Sequence, residues 1–135
     1  MSNVLGGLKP ERLWKHFEDI CGIPHPSKKE GSIIQFMKKF GENLGLETHV
    51  DAVGNVIIRK PATPGMENRV GVILQGHLDM VPQKNSDKAH DFEKDPIQPR
   101  IEGEWVKATG TTLGSDNGIG VSATMAILEA KDLQH

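Results

Sequence analysis

Arg69-Val-Gly-Val-Ile-Leu-Gln-Gly-His-Leu-Asp79 sets the architecture expected of this chain. Val70, Val72, Ile73 and Leu74 make a nearly continuous apolar run. A run without polar alternation suits a strand buried on both faces, as in an α/β sheet. It ends at Gly76-His77-Leu78-Asp79, and the ends of strands in open α/β sheets are where ligands bind. The stretch therefore predicts a fold class and a place for chemistry.

Upstream, apolar residues recur at helical spacing. Leu13, Trp14, Phe17 and Ile20 predict a helix from about Pro10 to Cys21, with Pro10 suited to the first turn. Gly22-Ile23-Pro24 stops it. Ser27-Lys-Lys-Glu30 reads as a capping box opening a second helix to about Leu44, which Gly45 ends. Leu46–Asp51 and Asn55–Lys60 predict a hairpin around Ala52-Val53-Gly54. Pro61–Asn68 is a loop.

Downstream, Val81–Asp95 is a charged loop without periodicity. Ile97–Glu102 and Trp105–Thr109 predict a second hairpin. Thr111–Gly118 is a loop of small residues, and a helix follows from about Ile119 to Ala130. This order is α/β or α+β, and the apolar run favours α/β.

Composition bounds the function. The 135 residues suffice for one compact domain, and 15 glycines with 8 prolines favour many turns. A net charge of −2 gives no electrostatic reason to expect nucleic acid or an anionic membrane as partner. Cys21, the single cysteine, is expected as a buried structural thiol. The amino terminus has no basic segment before a long apolar core, so neither a signal peptide nor a membrane span is expected.

Two places can carry chemistry. In extended backbone, positions i and i+2 share a side, so His77 and Asp79 can face one cavity. An imidazole nitrogen is a good zinc ligand, and a carboxylate beside it commonly accepts its other N–H. The same pair also suits a hydrogen-bonded turn. The second place is Asp116, in Leu113-Gly-Ser-Asp-Asn-Gly-Ile-Gly120. Its carboxylate can bridge two metal ions, or Asp116 and Asn117 can simply cap the next helix. The glycines lack the Lys-Ser/Thr of a phosphate loop. His16 is expected at a surface or boundary, His25 in a structural turn, and Trp14 and Trp105 in the core or at its edge.

Taken together, Gly76-His-Leu-Asp-Met-Val-Pro-Gln83 and Leu113-Gly-Ser-Asp-Asn-Gly-Ile-Gly120 resemble the M20 family of co-catalytic zinc peptidases. The variants HLDMVPQ and GTTLGSDNGIG, with Ile23–Glu30 and Val53-Gly-Asn-Val56, resemble its aminoacyl-histidine (Xaa-His) dipeptidase branch. The resemblance implies the amino-terminal part of a zinc-peptidase-like catalytic domain, with a mixed sheet flanked by helices. It implies His77 as ligand of one metal and Asp116 as ligand bridging two. Asp79 is then the catalytic-site carboxylate that orients His77. The implied cofactor is a pair of Zn2+ ions, with Co2+ or Mn2+ as alternatives.

The resemblance further implies a cytoplasmic enzyme, homodimeric when intact, that hydrolyses small peptides such as Xaa-His dipeptides by a metal-activated water. In that family an adjacent acidic pair follows downstream, supplying the general base and a further ligand. Glu129 and Asp132 do not match it. The chain is therefore expected as a fragment without useful catalysis of its own. Alternatives are an M20 tripeptidase, carboxypeptidase or deacylase, or a non-catalytic binding module on the same scaffold.

Overall fold

Helical periodicity accounts for the first element. In the computed structural model, which describes residues 3–135, α1 spans Glu11–Cys21 directly after Pro10. Met1 and Ser2, part of the terminus read above for a leader, lie outside the described residues. α1 buries Phe17, Ile20 and Cys21, and also His16. The sequence places His16 at a boundary; instead its Nε2 lies 3.0 Å from Glu129 Oε1, and its ring meets Phe40 edge-on.

α2 spans Gly31–Asn43 and buries Ile33 and Met37. It begins later than expected because the Ser27–Glu30 capping box does not form. Glu30 accepts from the Lys28 backbone N–H, and the Ser27 hydroxyl points elsewhere.

Both hairpins are present. β1 (Glu47–Val50) pairs antiparallel with β2 (Val56–Arg59), with Val50 opposite Val56. β3 (Pro99–Glu102) pairs antiparallel with β4 (Trp105–Ala108). α2 packs on the first hairpin. Trp105, expected in or beside the core, is 70% exposed on the second.

α3 spans Ser115–Glu129 and packs against α1. Asp116 and Asn117 have non-helical dihedrals, so regular helix begins only after them. Two apolar clusters hold the molecule together: one is built from Leu5, Phe17, Cys21, Met80 and Ile97, the other from Ile20, Ile33, Met37, Val121 and Met125. Burial pushes the Cys21 thiol up to about 12, the inert structural thiol expected. The class is α/β, carried by three helices and two small antiparallel ribbons among the described residues.

One expectation fails in place. Arg69–Gln75 forms no strand, and Val70, Val72 and Ile73 are 92%, 80% and 93% exposed. A strand buried on both faces needs paired neighbours and cover above and below. The described residues supply none there. No described helix is long and apolar enough to cross a membrane.

Candidate metal centre

The site forms where two loops meet beneath α3. The Met80 N–H donates to His25 O at 3.1 Å, and the Ser27 N–H donates to Met80 O at 3.0 Å. These bonds make a parallel bridge between Pro26 and Met80. The Met80 side chain is 2% exposed and anchors the bridge in the first apolar cluster. Residues 77–80 thus lie on a fixed footing although they belong to no strand.

Two glycines permit the approach to α3. A Cβ on Gly76 would fall 2.3 Å from Asn117 Oδ1. No larger residue lets the backbone before His77 lie this close to the start of α3. Gly114 adopts φ of +77° immediately before α3 and packs against Met80.

The result brings the three expected side chains together. His77 Nδ1 lies 2.9 Å from Asp79 Oδ1, and His77 Nε2 lies 3.0 Å from Asp116 Oδ1. The imidazole is 54% exposed and the Asp116 side chain 92%, so both donor groups face open solvent. The Asp116 carboxylate raises the His77 pKa above its ordinary value, with Asp79 adding to the effect. Asp79 is held below the usual carboxylate range, first by the Ser27 hydroxyl and then by His77. His77 therefore tends to stay charged, donating Nδ1–H to Asp79 and Nε2–H to Asp116, and a metal ion would have to displace the Nε2 proton.

Ser27 is the residue that sequence reasoning missed. Its Oγ donates to Asp79 Oδ2 at 2.5 Å across 52 positions of sequence. No local pattern announces a contact of that range. His25, by contrast, is buried and turns its Nδ1 to Ile23 O at 2.5 Å, a structural role as expected. Burial lowers its pKa.

The donor set suits a divalent ion in kind: one imidazole Nε2 and one carboxylate, close enough to share an ion, with a second carboxylate behind the ring. It falls short in number. Among the described residues no group of three or more His, Cys, Asp or Glu side chains has an arrangement that holds a metal. Glu129 and Asp132 are engaged elsewhere, with His16 and Arg12.

No protein-family model matches the chain. Over 131 residues, 97% of its length, it is 55% identical to the cytosol non-specific dipeptidase of Escherichia coli (strain K12). The chain is a close homologue of dipeptidases. It superimposes on the crystal structure of aminoacylhistidine dipeptidase from Vibrio alginolyticus with a TM-score of 0.95 at 54% identity, over 97% of its length. It spans 27% of the length of each of these two proteins. The fold also recurs in aminopeptidase PepT from Bacillus cereus ATCC 10987, with a TM-score of 0.70 at 24% identity, covering 93% of this chain and 34% of that one.

Proposed function

We propose that the chain carries part of the metal centre of a cytosolic dipeptidase, with His77 and Asp116 as ligands and Asp79 fixing the imidazole. The observation that carries this is the His77–Asp116 pair at 3.0 Å with Asp79 on the opposite ring nitrogen. Dipeptidase homologues at 54% and 55% identity support the reaction class. Xaa-His dipeptides are the substrates proposed, by analogy with the aminoacylhistidine dipeptidase of Vibrio alginolyticus.

The chemistry a divalent-ion pair supplies when bound is polarisation of the scissile carbonyl and acidification of a water molecule. This chain's own residues prepare for it. Asp79, ionised, accepts the Nδ1–H of His77, so once the Nε2 proton is lost the lone pair of that nitrogen is left on the side of Asp116. Asp116 offers its carboxylate, 92% exposed, from the irregular first turn of α3, while Gly114 and Gly118 on either side pack closely against Met80 and Phe17. Structural and catalytic zinc sites normally need three or four protein ligands, and these residues give two. The 135 residues alone are accordingly proposed to bind zinc weakly and to turn over no dipeptide.

Calorimetric titration of the chain with Zn2+ tests the assignment. His77→Ala and Asp116→Ala should each weaken binding about tenfold or more. Unchanged affinity in both variants removes the proposed centre. Turnover of Xaa-His dipeptides by the unmodified chain overturns its proposed inactivity.

A further inference from the structure

We infer that Ser27 is a positioning residue for His77, acting through Asp79 rather than through the fold of its own loop. The inference deepens the metal-centre reading and rests on it. The geometry is a line of three groups: Ser27 Oγ to Asp79 Oδ2 at 2.5 Å, then Asp79 Oδ1 to His77 Nδ1 at 2.9 Å. Each carboxylate oxygen has its own partner. The torsion of an Asp carboxylate is broad by itself, so two partners on opposite oxygens are what fix its plane. With the plane fixed, Nδ1 has two acceptors on Asp79, Oδ1 at 2.9 Å and the backbone O at 3.1 Å, against one for Nε2, Asp116 Oδ1 at 3.0 Å, and His77 is held in the tautomer that carries its proton on Nδ1.

The hydroxyl has one proton and two acceptors in reach, Asp79 Oδ2 at 2.5 Å and Met80 O at 3.2 Å. The shorter bond to a charged acceptor is the stronger. The loop does not depend on that proton. The Ser27 N–H to Met80 O bond and the Met80 N–H to His25 O bond already set the register, and Met80 is anchored in the core. Removing Oγ therefore leaves the bridge in place and frees Asp79. Asp79 is only 33% exposed in its side chain, so water reaches it but does not dictate its orientation.

The experiment is long-range 1H–15N NMR of the His77 ring in the 135-residue chain, at alkaline pH where the ring is neutral, with Zn2+ titration alongside. The unsubstituted chain should show the Nδ1–H form. Ser27→Ala should shift the ring nitrogens toward mixed tautomers and raise the zinc Kd about threefold to tenfold, at or below the range of a direct orienting partner. Ser27→Thr keeps the hydroxyl and should restore both readings. Asp79→Ala should produce the same tautomer change, and adding Ser27→Ala to it should change nothing more. The inference is overturned by a Ser27→Ala ring spectrum identical to that of the unsubstituted chain, or by effects of the two substitutions that add. Amide signals of β1 and β2, which carry none of the site residues, report whether each variant keeps its fold. If the unsubstituted chain binds no zinc, the metal reading fails on that result alone, while the tautomer spectra still decide for or against Ser27.

Discussion

Two adjoining stretches behave in opposite ways. Arg69–Gln75 is apolar, yet its valines and Ile73 lie open to solvent and it pairs with nothing among the described residues. Gly76–Met80 carries His77 and Asp79, yet it is tied to the loop at residues 25–27 by backbone bonds and to α3 by close packing. Hydrophobic character alone does not order a strand; partners do. Polar site residues stay placed when backbone bonds and one buried anchor surround them. The candidate centre draws its order from cross-links to distant segments, not from a sheet beneath it.

The comparison breaks most forcefully at Met80. Its side chain is 2% exposed within a cluster that includes Leu5, Phe17, Cys21 and Ile97. Met80→Ala should destabilise the chain by about 2–5 kcal/mol, read as a lower urea midpoint. A loss under about 0.5 kcal/mol would mean that the bridge is anchored by something other than the core.

A smaller effect concerns the proton on His77. Its folded pKa is raised above 6.5, chiefly by Asp116. The bound proton thus stabilises the metal-free chain fully below the unfolded value of about 6.5, and that contribution fades as pH rises through the folded value. Zinc competes with the same proton, so its affinity should move the opposite way. Below the folded pKa, zinc affinity should fall about tenfold per pH unit, or about 1.4 kcal/mol. Titrations at several pH values check this, and His77→Ala should abolish the dependence. A flat profile in the unsubstituted chain would place the metal on other groups.

Local pattern explains how much of this is readable from the sequence. α1, both hairpins and α3 follow periodicity and turn residues, signals confined to a dozen neighbours at most. His77, Asp79 and Asp116 are readable as candidates because their types and flanking glycines suit chemistry. What stays hidden depends on distant partners. Ser27 has the pattern of a helix cap, but Asp79 claims its hydroxyl from 52 positions away. His16 has the pattern of a boundary residue, but Glu129 and Phe40 close over it. The apolar run at Val70 carries a strand's composition, but composition cannot say whether a neighbouring strand is there to pair with it.

The smallest effect sharpens the contrast from the other side. Ile73 is 93% exposed, so replacing it removes almost no buried area. Ile73→Ser should therefore change stability by less than about 0.5 kcal/mol, in line with other surface substitutions. It should act instead on association. An unpaired apolar run with exposed Val70, Val72 and Ile73 is a template for pairing with another chain. Sedimentation of the unsubstituted chain should reveal concentration-dependent self-association, and Ile73→Ser should shift it toward monomer while leaving the urea midpoint in place. If Ile73→Ser instead lowers the midpoint as Met80→Ala does, the run is buried in solution, and the two stretches do not differ as described.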